Sequence, residues 1–463
     1  MGWTIVLDIG KTLSKATLWD ERGQLRQRRS RPNGSAQAVA YSALDVAGIE
    51  KWLEGVLREF AACGPIDAIV PAAHGAGAAI VHGRQLICPP MDYEWSGLTA
   101  ERELYHQERD PFASTGSPKL PAGLNLGAQL HWLEPRIDRF AAGTILPWPQ
   151  YWAWRLCGVA ASEVSSLGCH TDLWQPFARA PSALALRHGW SQQLAPLTLA
   201  GATLGRLTAD WAGRTGLKRN VKIICGLHDS NAAFLAARSH PDMEGADATI
   251  LSTGTWFVAM RAGGVEESAT VARLSETRDC LVNVDVEGMP VPSSRFMGGR
   301  EIELFAGRDD SATPVAASEQ RRAAIEAIEA GAMILPTLVP GVGPFPAGNH
   351  RRVGACDGAL NRTTLAHIYA ALLADASLDL LGSRERLVIE GRFSQAATFV
   401  EMLAALRPDT RLFVSDADEG VARGALCLIG RQPPYASLRE IAPLPVPIDA
   451  YRRRWRELAA ASN

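Results

Sequence analysis

No two cysteines of this chain stand close enough in sequence to form a CxxC pair. The eight, Cys63, Cys88, Cys157, Cys169, Cys225, Cys280, Cys356 and Cys427, are scattered singly, which argues against a zinc knuckle or a thioredoxin-type site. Several lie in apolar runs and read as small core residues in a reducing compartment. There is no run of 18 apolar residues to span a bilayer. Asp8 and Lys11 interrupt the place where a signal peptide needs its apolar stretch. Charge of one sign is also lacking: 47 Lys and Arg balance 49 Asp and Glu, a net charge of −2. That removes any general attraction to nucleic acid or an anionic membrane. The expectation is a cytoplasmic protein with no nucleic-acid partner and no membrane partner.

What is present is ordinary globular material. Hydrophobic residues make up 47% and charged residues 21% of 463 residues, enough for more than one core. Thr4 to Leu7 is a β-branched apolar strand, Asp8-Ile9-Gly10-Lys11-Thr12 a polar turn, and Lys15 to Trp19 a returning strand. A third strand from Leu25 to Ser30, a helix from Ile49 to Ala62 and a buried strand from Ile66 to Val70 follow. The device then recurs: Ala248 to Leu251 is a strand, Ser252-Thr253-Gly254-Thr255 a polar turn, and Trp256 to Met260 a returning strand. Gly254 stands in the second copy where Gly10 stands in the first. The polar, proline-containing stretch 239–242 marks the boundary, giving two domains, 1–240 and 241–463.

Gly10-Lys11-Thr12 imitates the end of a P-loop and is not one. The first glycine of such a loop would fall at position 5, which is Ile5, and a strand follows where a helix is required. A glycine and hydroxyl turn still presents backbone N–H groups to an anion. Asp8, at the strand end, is placed to hold Mg²⁺ through water. The bland reading of one such turn, a hairpin with a polar rim, weakens once the turn occurs twice. Val221 to Cys225, Gly226-Leu227-His228-Asp229-Ser230 and Asn231 to Ala237 read as strand, glycine loop and helix. Asp229 is there either a helix N-cap or a general base for phosphoryl transfer.

These segments together resemble the FGGY carbohydrate kinases of the actin-like ATPase superfamily, from Asp8 to about Ile429. The two phosphate motifs resemble 8–12 and 252–256, and the catalytic segment resembles Gly226 to Ala232. A glycine pair that touches ATP resembles Gly298-Gly299. The adenosine motif resembles Glu390-Gly391-Arg392-Phe393-Ser394-Gln395, and a closing helix resembles Gly420 to Ala425. The resemblance implies an α/β fold of two ribonuclease H-like lobes with mixed sheets, a hinge and a cleft. It implies ATP and Mg²⁺ as cofactors, with Asp229 as base and Asp8 and Asp229 at the metal. Gly10, Lys11, Thr12, Ser252, Thr253, Gly254, Thr255, Gly298, Gly299, Gly391 and Ser394 would hold the nucleotide and its phosphates.

A small carbohydrate is the implied partner, and a homodimer stays open. His74-Gly75 matches a loop that borders the sugar; a satisfied loop histidine is the equal alternative. In Pro89 to Trp95, Asp92 and Glu94 compete for the acidic sugar contact, with Tyr93 beside them. Thr171 lies in a hydroxyl-rich turn near Trp174, and His228 flanks the base. Four positions depart from the family. Lys11 replaces a small or hydroxyl residue and reaches either phosphate or solvent. Arg392 and Phe393 replace glycines of the adenosine loop, and Gln150 stands where aspartate is frequent. The divergence points toward rhamnulose- and fuculose-kinase-like proteins, hence a ketose or deoxy-ketose substrate. A sugar or nucleotide sensor on the same fold, and another actin-like ATPase, are the competing readings.

Overall fold

The computed structural model describes residues 2–263, 267–307, 315–354, 358–416 and 418–461. The chain forms two compact units. The first comprises Met1–Ser239, Val282–Pro290 and Glu419–Tyr435; the second comprises His240–Leu281, Val291–Asp418 and Ala436–Asn463. The chain thus changes unit where the polar stretch at 239–242 stands. Unlike the simple division at 240, it returns to the first unit twice, the second time with the helix Gly420–Leu428.

In the first unit, β1 (Trp3–Ile9), β2 (Leu13–Trp19) and β3 (Leu25–Pro32) form an antiparallel meander. β4 (Ile66–Ala73) lies parallel to β1, and extends three residues beyond the expected Val70. β5 (Thr203–Arg206) pairs antiparallel with β6 (Lys222–Ile224), which lies parallel to β4, as does the short β7 (Leu227–His228). The order is β5-β6-β4-β1-β2-β3, with β7 beside β4. One face is covered by the helix Val46–Ala61, which buries Ile49, Leu53, Val56, Leu57 and Phe60. Those positions recur at the helical period, so one stripe reaches the sheet.

The second unit repeats this plan. β8 (Ala248–Thr253), β9 (Phe257–Ala262) and β10 (Pro290–Phe296) are antiparallel neighbours. β11 (Arg386–Gly391) and β12 (Arg411–Ser415) follow in parallel, and β13 (Leu438–Glu440) closes antiparallel. Within a seven-stranded sheet the order is β10-β9-β8-β11-β12-β13, strand for strand the sequence β3-β2-β1-β4-β6-β5. The repeat read from two glycine turns is therefore a repeat of a whole mixed sheet.

The helix Ala359–Leu381 runs through the second unit's core. Its stretch Leu360–Leu381 is long and apolar enough to cross a membrane, but most of it is buried inside the structure. It carries Asp375, fully buried, which meets Arg407, Arg452 and Arg456. Arg452 and Arg456 belong to the terminal helix Asp449–Ala460, whose Tyr451, Trp455 and Ala459 are buried. The basic tail is thus docked by its apolar stripe and by ion pairs. Seven cysteines are free thiols; Cys356 lies outside the described residues.

Candidate active site

The carboxyl ends of β1, β4 and β7 lie side by side in the first unit. Ile9 pairs with Ala73, and Ala73 with His228. The next residues of the three strands, Gly10, His74 and Asp229, are therefore delivered to one edge, where open α/β sheets collect their ligands. Gly226 makes this possible. Its φ is +82° and a Cβ would stand 2.1 Å from the Pro71 carbonyl oxygen, so only glycine turns the chain there from β6 into β7.

Asp229 is the first residue of the helix Asp229–Arg238; the cap position belongs to His228. The N-cap reading is thereby replaced. Its Oδ1 accepts from the Ser230 backbone N–H at 2.6 Å and the Ser230 hydroxyl at 3.2 Å, and lies 3.3 Å from His228 Nε2. The Asn231 amide reaches His228 Nδ1 at 3.1 Å, which fixes Nδ1 as acceptor and Nε2 as the donor to Asp229. Among the described residues Oδ2 has no partner. Burial holds the His228 imidazole below its ordinary pKa, against the opposing charge of Asp229.

Asp8 pairs across the β1–β2 hairpin with Lys15, whose Nζ is 3.1 Å from Asp8 and 3.4 Å from Glu419. Burial pushes the Asp8 carboxyl up to about 6; Lys15 opposes this, while Asp229 and Glu419 add to it. Asp8, Asp229 and Glu419 so form a partly desolvated acidic patch, in which Lys15 pairs with Asp8 and Glu419 and Arg28 pairs with Glu419 at 2.9 Å. Among the described residues no three acidic, histidine or cysteine side chains form a ready cage for an ion. Mg²⁺ keeps most of its water and needs one or two carboxylates, so Asp8 and Asp229 fit it.

Lys11 is largely buried and turns toward the segment after Pro90. Its Nζ is 2.8 Å from Asp92 and 3.4 Å from Glu94, and 5.7 Å above the Tyr93 ring. The two acids differ in burial: the Asp92 side chain is 6% exposed and that of Glu94 65%. His74 is buried, donates from Nδ1 to the Gly75 carbonyl, and stands edge-on to Tyr93 at 5.3 Å and tilted to Trp148 at 6.2 Å. Desolvation lowers its pKa, so the ring is neutral with Nε2 as an acceptor. Gly75 serves packing, because a Cβ would meet Cys169 Sγ at 2.6 Å.

Thr171 does not present its hydroxyl to this edge. It is 2% exposed, donates to the Leu167 carbonyl, and accepts from the Leu173 N–H. Trp174 is a core residue packed with Leu167 and Val284. Gln150 donates to the Cys225 and Gly226 carbonyls, bracing the loop before Asp229. Asn33, absent from the sequence reading, fastens the first turn: its amide donates to the Gly10 carbonyl at 2.8 Å and its N–H to the Thr12 carbonyl at 2.8 Å. Lys15 was readable from hairpin register, since a strand pair around the turn sets it opposite Asp8. Asn33 carries no local signal.

In the second unit the ends of β8 and β11 meet, Thr253 opposite Gly391. The Ser252 hydroxyl donates to Glu390 at 2.6 Å, and the Thr253 hydroxyl donates to the Glu390 carbonyl and accepts from the Phe393 N–H. Both hydroxyls are spent internally, as is that of Ser394, which donates to the Gly391 carbonyl. The glycines serve close approach. A Cβ on Gly299 would lie 2.0 Å from the Gly254 oxygen, and one on Gly391 2.3 Å from the Thr253 oxygen. Gly298 packs on Phe257 and Phe296. Exposed at this edge are Thr255, Gly391 and Arg392. Arg392 pairs with Glu303 at 2.7 Å and its guanidinium lies 5.2 Å from the ring of Phe393, itself buried.

The family profile described as Carbohydrate kinase FGGY, C-terminal domain, matches residues 245–437. A crystal structure of a carbohydrate kinase from Novosphingobium aromaticivorans is 46% identical, with a TM-score of 0.94, over 100% of this chain and 99% of that one. A ligand-bound xylulose kinase from Lactobacillus acidophilus is 13% identical with a TM-score of 0.79, over 100% and 97% of the two chains, a likeness of fold. Among curated proteins, an L-fuculokinase of Salmonella typhi is 25% identical over 291 residues, a match spanning 57% of this chain and 57% of that relative.

Proposed function

The chain belongs to the FGGY family of carbohydrate kinases, and we propose that it transfers the γ-phosphate of ATP to a hydroxyl of a small ketose or deoxy-ketose, with Asp229 as general base. The observation that carries this reading is the asymmetry of the Asp229 carboxylate. One oxygen is held by Ser230 and His228, and the other has no partner among the described residues at the convergent strand ends. Phosphoryl transfer asks for such a group: it orients the attacking hydroxyl and takes its proton, while positioning and electrostatics supply the rest.

His74 Nε2 would accept a sugar hydroxyl, and Asp92, steered by Lys11, would accept another. Tyr93, with the His74 and Trp148 rings behind it, offers a wall for a C–H-rich sugar face. That wall suits a deoxy-ketose, the class of the sugar named in the fuculokinase relative. In each turn the glycine N–H is engaged, Gly10 by the Leu13 carbonyl and Gly254 by the Trp256 carbonyl, so phosphate would be held by the following N–H groups and by the Thr12 and Thr255 hydroxyls. Mg²⁺, held through water by Asp8 and Asp229, would neutralise phosphate charge. In this reading the first unit holds the sugar and the base, and the second holds the nucleotide.

The test is ADP release from ATP-Mg²⁺ with a panel of ketoses, deoxy-ketoses, aldoses and polyols, using Asp229→Asn as the blank. Turnover above the blank with a ketose or deoxy-ketose supports the reading. Turnover confined to aldoses or polyols would overturn the substrate class. ATP binding without turnover on any sugar would favour a sensor.

A further inference from the structure

The first unit holds a concavity at the opposite edge of its sheet. β6 runs parallel to β4, so its carboxyl end points to the edge that carries Asp229. Its amino end, with the preceding Arg219 and Asn220, opens on a cavity of about 600 Å³. Arg206, the last residue of β5 and the register partner of Lys222, lines the same space, with Thr208. Arg84, at the turn between the strands Ala78–His82 and Gln85–Cys88, completes it.

The charge there is strongly one-sided. Arg84, Arg206 and Arg219 line the cavity, and Lys218 and Lys222 flank it in sequence. None of these five makes an ion pair with a carboxylate among the described residues. Arg206 is directed by a 2.7 Å hydrogen bond to the Asn220 carbonyl. The one acidic lining residue, Asp210, lies 3.4 Å from Arg214. A protein of net charge −2 has here gathered uncompensated guanidinium groups around a hollow. Guanidinium forks match phosphate oxygens in pairs. The volume is that of a small-molecule site, within the usual range of about 300–1,000 Å³.

We propose that this cavity binds a small phosphate-bearing polyanion, separately from the nucleotide. Arg206 and Arg219 grip its phosphate oxygens, Arg84 closes on it from the hairpin, and Asn220 supplies a neutral donor. The chemistry admits two sources, an inorganic phosphate chain and a phosphorylated sugar.

The probes are therefore tripolyphosphate and ribose 5-phosphate, titrated calorimetrically into the full chain at physiological ionic strength. Three proteins are compared: the unaltered chain, Arg206→Ser/Arg219→Ser and Arg84→Ser. Loss of charged hydrogen bonds should weaken binding by about tenfold or more in the double variant. ADP-Mg²⁺ affinity and melting temperature should stay unchanged. Arg84→Ser, altered only at an exposed turn, should weaken binding as well, and it decides the matter if the double variant is poorly folded. Stronger binding of tripolyphosphate or of ribose 5-phosphate identifies the source. Equal affinity in all three proteins, or no binding of either probe to the unaltered chain, overturns the proposal. Asp229→Asn should bind the probes as the unaltered chain does, which keeps this outcome independent of catalysis.

Discussion

Lys11 in the first glycine turn and Asp92 in the segment after Pro89-Pro90 meet at 2.8 Å, with both side chains largely buried. A residue of the first glycine turn thereby positions a carboxylate of a segment distant in sequence. Lys11→Met would leave the Asp92 carboxylate without its cation. The KM for sugar should then rise about tenfold or more, the worth of one charged hydrogen bond, with a smaller change in kcat. Lys11→Arg should restore most of the loss. Steady-state kinetics on the sugar selected by the panel is the check; a change confined to the KM for ATP would place Lys11 on the nucleotide instead.

Asp229→Asn keeps the shape of the side chain and the Ser230 contact but cannot take a proton. Turnover should fall by about 10²–10⁴-fold or more, while ADP binding followed by calorimetry stays nearly intact. Full activity in this variant would remove Asp229 from the chemistry.

Arg392 is tied to Glu303 and packed over Phe393 at the end of β11. Arg392→Gly restores the glycine usual in the family's adenosine loop and should change the KM for ATP more than that for sugar. A change in the sugar KM alone would show that this loop does not serve the nucleotide.

Glu301 is 2% exposed; it accepts from the Tyr369 hydroxyl and the backbone of Leu338 and Val339, and burial pushes its carboxyl up to about 7 from 4.5. The folded state therefore holds this proton more tightly than the unfolded chain. The contribution is fully present below pH 4.5 and is lost as pH rises through about 7. Each tenfold difference in proton affinity is worth about 1.4 kcal/mol. Glu301→Gln has no such proton to lose, so its stability should vary less with pH across that window. Denaturant midpoints measured along the window give the slope. The slope is the readout, because the amide would face backbone donors and shift the level. Glu163, pushed up to about 7 in the same way, leaves part of the dependence in place.

Much of the sheet was legible because it is written locally. β-branched apolar runs and glycine turns marked β1, β2, β8 and β9, and their repetition announced a duplicated topology. The strand, glycine loop and helix around Asp229 were legible too, since Gly226 and the following helix are consecutive in the chain. How the hydroxyl residues are engaged was not legible. Ser252, Thr253, Ser394 and Thr171 have the right type for phosphate or sugar, yet each is consumed by a neighbouring carboxylate or backbone group. Sequence reports which donors a residue owns and not which are already engaged.

By itself the sequence determined the duplicated strand-turn-strand device, the free cysteines and the candidate base. These follow from short-range patterns of polarity, chirality and glycine. Only the tertiary structure decided that Lys11 faces Asp92, that Asn33 fastens the first turn, and that Arg84, Arg206 and Arg219 share one cavity. It also decided that the helix Gly420–Leu428 joins the first unit, where Gly424 packs on the Ala232 carbonyl. Such pairings depend on which strands become neighbours in a sheet. Neighbours are chosen by burial of whole faces, a property of the folded chain that no local window contains.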